Sequence, residues 1–415
     1  MDKARPFCIS KREVWEAYKR VKANQGAAGV DGQSIEAFEQ DLSNNLYRIW
    51  NRMSSGSYFP LPVLRVEIPK DNGAGVRPLG IPTVSDRIAQ MVVTRYLEPK
   101  LEEHFHRDSY GYRPGRSAHD ALRVARQRCW NYDWVLDLDI KSYFDSIDWE
   151  LMMRAVRHHT DCAWVLLYIE RWLKAPVGMP DGTLVSREKG TPQGAVVSPI
   201  LSNLFLHYAF DLWMERQFPD IPFERYADDA ICHCRSEAQA RQLQEALEVR
   251  LAVCKLELHP DKTKIVYCKD ANRRGHYIHQ RFDFLGYTFR PRSLMNRSGQ
   301  LFVGFAPAVR DRAAKAMRQH MRRWQLHRRS DLALEDLVQW MQPVILGWVH
   351  YYGRFYSSWL YRALRTLDRF LVRWAQRKYK RLRGHTMRAW AWLSRLRARQ
   401  PTLFAHWGLR APVEQ

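Results

Sequence analysis

Two adjacent acids, Asp228 and Asp229, constrain what this chain can fold into more than any other feature of its sequence. Aromatic residues stand before them, and Ala230, Ile231 and Cys232 follow, which predicts a strand, a turn and a second strand. Two neighbouring carboxylates repel each other, so a turn that holds both usually has a cation to bind. The alternative for a single Asp-Asp pair is a solvated turn without function.

A second acidic strand, residues 134–140, lies upstream of this turn. Its alternation puts Asp137 and Asp139 on one face among apolar neighbours. Asp139 and the pair at 228 and 229 would then form a site of three carboxylates. Hard oxygen ligands suit Mg²⁺, which keeps several waters and is completed by substrate phosphates. Such a site fits phosphoryl transfer assisted by two metal ions.

The charge balance predicts a polyanionic partner. Lys and Arg total 66 against 44 Asp and Glu, a formal net charge of +22, and the chain carries 16 Trp and 19 Tyr. Excess positive charge draws a protein to nucleic acid, and aromatic side chains can stack on bases. Nucleic acid is therefore the predicted partner, with an anionic membrane surface as the weaker alternative.

Length, apolar runs and cysteines limit the remaining classes. A chain of 415 residues is too long for one ordinary core, so two to four domains are expected. The sequence has neither an apolar run of membrane-spanning length nor a signal-peptide core, which predicts a cytoplasmic protein without a membrane partner. The seven cysteines are scattered, so we expect reduced thiols and neither a zinc site nor a disulfide framework.

Several motifs, in order, resemble those of reverse transcriptases. The Tyr-Ala-Asp-Asp run ending at Asp229 follows the motif at 139–145, and Pro-Gln-Gly within 189–199 lies between them. The sub-family that the chain most resembles is the reverse transcriptase/maturase of bacterial group II introns. The resemblance implies an α+β right-hand polymerase, with fingers and palm of antiparallel sheet plus helices followed by an α-helical thumb.

The same resemblance assigns the chemistry of the palm. It implies that Asp139, Asp228 and Asp229 are catalytic. It also implies that they bind two Mg²⁺ ions together with Ile140, with Mn²⁺ as a substitute.

A basic hairpin over residues 60–82 matches the fingers motif of the family. There a Lys and an Arg grip the incoming triphosphate, and the corresponding residues are Lys70 and Arg77. Arg donates to phosphate through a planar fork, and Lys acts as a point charge. From its residues alone, the same hairpin could be a solubilising sheet edge.

Further positions match the nucleotide-binding part of the family. Phe144 stands where a bulky side chain blocks a 2′-hydroxyl, although a buried Phe is more often a core residue. Gln193 can present an amide to sugar or base without adding charge. Gly194 permits close backbone approach and is predicted to be a nucleic-acid-binding residue. Lys262 is the candidate for protonating the departing pyrophosphate, with Lys264 as its rival.

Nucleic-acid contacts are implied before the palm. Gly29 and Asp31 lie in a Gly-rich loop that resembles the N-terminal extension motif, where the loop covers the template; the alternative is an ordinary loop between helices. Arg113 and Arg116 lie among glycines and a proline before Ser117. They could hold template phosphates, form a capped entry to the next helix, or do both.

Beyond Pro307 arginine becomes dense, acids become few, and three helices are predicted over 310–329, 332–352 and 359–383. The resemblance makes this region the thumb, or maturase domain, with basic faces for template–primer duplex and intron RNA. The nucleic-acid-binding residues predicted there are Arg310, Arg318 and Arg322.

Four domains are predicted. They are 1–60, the N-terminal extension and start of the fingers; 61–300, the fingers and palm; 301–383, the helical thumb; and 384–415, a short basic segment interpreted as a reduced DNA-binding region. Within the palm, residues 147–175 are predicted to be helical. No Cys follows Cys268, so the Cys-rich endonuclease domain of many family members is expected to be absent.

The predicted function is RNA-directed DNA synthesis combined with binding of group II intron RNA, which assists splicing and retrohoming. Its partners would be an RNA template and intron RNA, a DNA primer or target DNA, and deoxynucleoside triphosphates. One alternative is a splicing cofactor whose palm has lost its chemistry, which the intact acids and Gln193 loop disfavour. The other is a reverse transcriptase domesticated for defence, repair or diversification, which the long basic thumb disfavours.

Overall fold

The computed structural model describes residues 6–69, 75–296 and 298–409. These residues form two compact units. The first unit takes residues up to 117, 136–232 and 238–264, and the second takes 118–135, 233–237 and the residues from 265 on.

The described helices and strands alternate along the chain without a repeating pattern. The α-helices are α1 Lys11–Asn24, α2 Ile35–Glu39, α3 Leu42–Ser55, α4 Val84–Glu102, α5 Ala118–Asn131, α6 Tyr143–Ser146, α7 Trp149–His159, α8 Ala163–Lys174, α9 Ser198–Leu206, α10 Leu212–Gln217, α11 Glu237–Val253, α12 Asp311–Arg323, α13 Leu334–Tyr352, α14 Ser357–Lys378 and α15 Thr386–Arg399. The strands are β1 Val63–Pro69, β2 Val76–Ile81, β3 Trp134–Leu138, β4 Val177–Gly178, β5 Leu184–Val185, β6 Phe223–Tyr226, β7 Asp229–Cys234, β8 Lys264–Tyr267, β9 Phe282–Phe284, β10 Tyr287–Met295 and β11 Leu301–Val309.

The strands of the described residues form three separate sheets. The sheet that carries the acidic residues has the order β6-β7-β3-β8, and the other two have the orders β2-β1-β4-β5 and β11-β10-β9. The basic hairpin predicted over 60–82 is confirmed by the antiparallel pairing of β1 with β2. Sheets of this kind combined with many helices confirm the predicted α+β class.

The predicted helix over 147–175 is wrong in one respect, because the chain forms two helices there. Thr160 ends α7 in an extended conformation (φ −157°, ψ 139°), and α8 begins only at Ala163. The Thr160 hydroxyl accepts a hydrogen bond from the backbone N–H of Cys162 (3.1 Å). Side-chain bonds of this local kind compete with helical hydrogen bonding and stop the helix.

The three predicted C-terminal helices are confirmed as α12, α13 and α14; α12 and α13 lie within their predicted ranges, whereas α14 begins at Ser357, before the predicted start at 359, and ends at Lys378. Their packing follows from apolar spacing, which α14 shows most clearly. Leu360, Leu364, Leu367 and Leu371 recur every three or four residues and are fully buried in the core of the second unit.

The segment after Gly384 also packs into this core. It forms α15 and a short 3₁₀ turn, and Trp392 and Trp407 belong to the buried cluster. The buried carboxylate of Asp368 accepts a hydrogen bond from Trp407 Nε1 (2.9 Å) and lies 3.0 Å from His406 Nε2. The segment interpreted as a reduced DNA-binding region therefore has a structural role in the second unit.

Across the described ranges, every helix is too short or too polar to cross a membrane.

Candidate active site

The acidic pair lies at the tip of the hairpin formed by β6 and β7, as predicted. The strands pair antiparallel up to Tyr226↔Asp229, so Ala227 and Asp228 alone form the turn. Ala227 has φ 58°, and the favoured two-residue hairpin turns require positive φ at this first position. The hairpin therefore holds Asp228 in a tight turn and Asp229 as the first residue of β7.

Arg225 fixes the base of this turn from inside the protein. It is 1% exposed, and its guanidinium donates to both carboxylate oxygens of Asp211, at 2.7 and 2.6 Å. It also donates to Asn203 Oδ1 and to the carbonyl oxygen of Ala227, both at 3.0 Å. Burial acts to raise the pKa of Asp211, but the Arg225 charge lowers it below its ordinary value, which keeps the pair ionised.

Gly111 allows a second segment to lie against the turn. Its carbonyl oxygen accepts a hydrogen bond from Asn203 Nδ2 (2.7 Å), and Tyr110 N–H donates to the carbonyl oxygen of Arg225 (2.8 Å). A Cβ at Gly111 would lie 2.5 Å from the backbone nitrogen of Ala227, so only glycine fits. Sequence reasoning missed Asn203 and Asp211, because no local pattern separates them from ordinary helical residues.

Asp139 follows the last residue of β3 and contacts the loop before β8. Its carbonyl oxygen accepts from the backbone N–H of His259 (2.7 Å), and Ile140 pairs with Leu258 in an antiparallel bridge. The Asp139 carboxylate lies 3.2 and 3.3 Å from Lys262 Nζ. The two side chains are 39% and 59% exposed, so this ion pair is weak and can exchange with other charges.

Asp228 and Asp139 interact through their charges. Burial, reinforced by the negative charge of Asp139, raises the pKa of Asp228, while Arg77 and Arg225 act in the opposite direction. A positive ion near both carboxylates would therefore stabilise their ionised forms.

This donor pair suits a hard divalent cation. In the part of the chain that the structure describes, no three His, Cys, Asp or Glu side chains are grouped to hold a metal ion by themselves. Mg²⁺ in phosphate-handling sites is bound through one or two carboxylates, waters and substrate phosphates. Asp139 and Asp228 could supply these carboxylates. Metal binding by Asp139, Ile140, Asp228 and Asp229 stays a prediction.

The loop that contains Gln193 packs between β2 and the short helix α6. Gly80 N–H donates to the Gln193 carbonyl oxygen (2.7 Å), and Thr191 N–H donates to that of Phe144 (2.8 Å). Gly194 has φ 114°, and a Cβ there would lie 2.8 Å from the carbonyl oxygen of Gly80. The close approach that Gly194 permits is thus made by the chain's own β2.

Gln90, on α4, is a further positioning residue that sequence reasoning missed. Its buried Oε1 accepts hydrogen bonds from the backbone N–H groups of Val196 (2.8 Å) and Val197 (3.3 Å). These bonds hold the chain between the Gln193 loop and α9.

The aromatic pair at 143 and 144 divides into a core residue and an accessible one. Tyr143 is 2% exposed and donates its hydroxyl to the carbonyl oxygen of Ser202 (2.8 Å). Phe144 is only partly buried. Its ring is therefore available for contact with a ligand.

The glycine loop before α2 is held against the start of α4. A Cβ at Gly29 would lie 2.7 Å from Thr83 Cα, and Arg87 donates to the carbonyl oxygens of Gln25 (3.1 Å) and Ala27 (2.9 Å). Asp31 is exposed and accepts from the backbone N–H of Gln33 (3.2 Å), which shapes the turn. The loop is thus well fixed, and template contact by Gly29 and Asp31 stays a prediction.

The two arginines of the glycine–proline segment have different surroundings. Arg113 is buried and donates to both carboxylate oxygens of Glu102 and to the carbonyl oxygens of His106 (2.7 Å) and Ser109 (2.6 Å). Arg116 is exposed, with its guanidinium 5.9 Å from the ring centre of Tyr110. Arg113 therefore stabilises the segment, while Arg116 remains available for phosphate.

The other predicted basic residues differ from one another in exposure and in pairing. Lys70 lies outside the described residues, and Arg77 is exposed on β2. In the second unit, Arg310 pairs with Asp283 (2.9 Å), Arg318 is partly buried and Arg322 is exposed.

Comparison with known families matches most of these elements. Residues 68–289 match the family described as reverse transcriptase (RNA-dependent DNA polymerase). Residues 314–390 match the group II intron, maturase-specific domain. The first match contains the acidic hairpin, Asp139 and the Gln193 loop, and the second runs from α12 into α15.

Curated relatives agree with these family matches. Protein YkfC of Escherichia coli (strain K12) is 33% identical over 296 residues, which cover 61% of this chain and 77% of YkfC. Group II intron-encoded protein LtrA of Lactococcus lactis subsp. cremoris is 33% identical over 193 residues, 46% of this chain and 32% of LtrA. A putative COX1/OXI3 intron 1 protein of Saccharomyces cerevisiae is 27% identical over 199 residues, 48% of this chain and 24% of that protein. This chain thus spans most of YkfC but about a third of LtrA.

Proposed function

This chain belongs to the reverse transcriptase family, and from that membership we propose that it is an RNA-directed DNA polymerase that also binds group II intron RNA to assist splicing and retrohoming. The observation that carries the polymerase activity is the position of Asp228 in the tight hairpin turn, where burial and the charge of Asp139 raise its pKa. The maturase-specific region at 314–390 supports the intron partner.

The residues of the first unit support nucleotidyl transfer. Asp139, Asp228 and Asp229 would hold two Mg²⁺ ions, which when bound supply charge stabilisation at the attacking and leaving oxygens. A primer 3′-hydroxyl would give its proton to a solvent water and form a bond to the α-phosphorus, while the bond from that phosphorus to pyrophosphate breaks. Arg77 and Lys70 would hold the triphosphate, and Lys262, which pairs with Asp139, would give a proton to the departing pyrophosphate.

Primer extension tests this function directly. Purified protein with a DNA primer annealed to an RNA template, deoxynucleoside triphosphates and Mg²⁺ should yield extended DNA. A chelator should stop the reaction, because the carboxylates cannot replace the cation charge. Protein that folds and binds the annealed template but never extends the primer would contradict the proposal and favour a splicing cofactor without chemistry.

Sugar discrimination provides a second test, at Phe144. We expect Phe144→Val to raise ribonucleotide incorporation relative to deoxyribonucleotide incorporation by at least about tenfold, because the accessible ring would exclude a 2′-hydroxyl by contact. The measurement is the ratio of kcat/KM values for the two nucleotides.

The neighbouring Tyr143→Phe variant is the matched control. It removes the hydroxyl that bonds to Ser202 without opening space at Phe144, so the ratio should stay at the wild-type value. If the ratio of the two kcat/KM values for Phe144→Val equals that of wild type, Phe144 packs within the protein and does not exclude the 2′-hydroxyl.

A further inference from the structure

One helix of the second unit carries an uninterrupted row of exposed arginines. The row consists of Arg362, Arg365, Arg369, Arg373 and Arg377, all on α14 and all exposed. Their spacing of three, four, four and four residues places them on one face of the helix.

Packing fixes the direction of this arginine row. The leucines of α14 occupy the core of the second unit, so the face that carries the arginines is the solvent face. With a rise of about 1.5 Å per residue, Arg362 and Arg377 are about 22 Å apart along the helix, and neighbouring members are about 5 to 6 Å apart. The row therefore offers positive charge at nearly even intervals along one face of the helix.

No acid in α14 balances these charges. Asp368 is the one acid of this helix; it is buried and bonded to Trp407, on the side away from the arginine row. Among the residues that the structure describes, none of the five guanidinium groups forms an ion pair. Arg362 alone has an aromatic contact, 5.0 Å from the ring centre of Trp359. Like charges at this spacing repel each other, so a bound polyanion would relieve the repulsion.

The basic residues of α12 are less available. Arg310, just before its start, pairs with Asp283, and Arg312 and Arg318 are partly buried, which leaves Lys315, Arg322 and Arg323 exposed. α12 thus offers fewer exposed cationic side chains than the five of the α14 row, and phosphate contact by Arg310, Arg318 and Arg322 stays a prediction.

We propose that the arginine row of α14 binds the phosphodiester backbone of a folded RNA, with successive guanidinium groups on successive phosphates. The choice of RNA rests on the proposed function, because all five arginines lie in the maturase-specific region. Guanidinium forks suit phosphate oxygens, and contacts of this kind give salt-dependent affinity with little sequence reading.

Binding across a salt series tests the proposal. The full chain with all five row arginines changed to Gln is compared with wild type on an RNA hairpin and on a DNA hairpin of the same sequence. Each lost phosphate contact lowers the log–log salt slope by roughly 0.7 to 0.9, so the slope should fall by roughly 3.5 to 4.5 on RNA. Between 50 and 200 mM salt, wild-type affinity should then fall about 100- to 500-fold more than that of the variant.

An equal charge change elsewhere in the unit is the matched control. Arg381, Arg383, Arg388, Arg395 and Arg399 are exposed but are divided between α15 and the turn before it, so the five form no single row, and changing them to Gln should alter the slope much less. If the two variants lower the salt slope equally, only net charge matters for RNA binding, and the proposal for the arginine row is overturned. Equal losses on DNA and RNA hairpins would overturn its assignment to RNA.

Folding and polymerase activity are measured in parallel. If the five-fold variant melts at a lower temperature than wild type, the triple change at Arg365, Arg369 and Arg373 replaces it, with an expected slope decrease of roughly 2.1 to 2.7. An unaltered slope in a folded variant that still extends a primer would overturn the row and leave the polymerase proposal standing. If the wild-type protein binds RNA through the row but extends no primer, the arginine row stands and the polymerase proposal is overturned.

Discussion

Asp228→Asn is expected to reduce primer extension by more than about 100-fold while leaving the fold intact. Loss of a residue that only supports a metal ligand costs about 10- to 100-fold, and a direct ligand should cost more. The amide keeps the size of the side chain but removes the charge that would bind the cation. Because burial already raises the pKa of Asp228, a neutral side chain in the turn should not destabilise it.

The experiment compares single-nucleotide extension rates at saturating template–primer. Asp220→Asn is the control, since Asp220 is an exposed turn acid shortly before β6 in the same unit, and its rate should equal that of wild type. RNA affinity of Asp228→Asn should also be unchanged, because phosphate contacts are proposed for other residues. Extension within tenfold of wild type would remove Asp228 from the catalytic set.

Arg225→Met is expected to destabilise the first unit by about 3 to 5 kcal/mol, the usual cost of leaving one partner of a buried ion pair alone. Asp211 would then be a buried carboxylate without its guanidinium, and Asn203 Oδ1 and the Ala227 carbonyl oxygen would each lose a donor. The turn that holds Asp228 would lose its internal support. Urea unfolding followed by fluorescence measures the change.

Two further variants separate charge from geometry. Arg225→Met combined with Asp211→Leu removes both charges, so it should recover part of the stability lost in Arg225→Met. Arg225→Lys keeps the positive charge but cannot form the four hydrogen bonds of the guanidinium. A loss below about 1 kcal/mol in Arg225→Met would contradict the role of the buried pair.

The pH dependence of wild-type stability follows from the same pair. The folded-state pKa of Asp211 is lowered, so its contribution is present at neutral pH. It is lost as pH falls from the ordinary value of this carboxyl through its lower folded value. The double variant lacks this acid-sensitive contribution, and its stability should change less over that range.

The sequence by itself determined the local elements and the order of the motifs. Alternation predicted β3, and the aromatic and apolar residues on either side of the acid pair predicted the hairpin around Asp228. The sequence also predicted the helices α12 to α14, and in α14 a spacing of three and four places the leucines on one face. These patterns act within a few residues, so they can be recognised without knowing which segments meet.

Only the tertiary structure decided which charged side chains are already bonded within the protein and which are available to a ligand. The sequence alone does not distinguish Arg113 from Arg116, which lie in one motif. In the structure Arg113 is buried against Glu102, whereas Arg116 is exposed. Lys262 reaches Asp139 from 123 residues away, and no local signal links them. A guanidinium or carboxylate is available for a ligand only if no distant part of the chain already satisfies it. That condition depends on long-range packing, which is why the exposure of the α14 arginine row, and its lack of acidic partners among the described residues, became evident only in the folded chain.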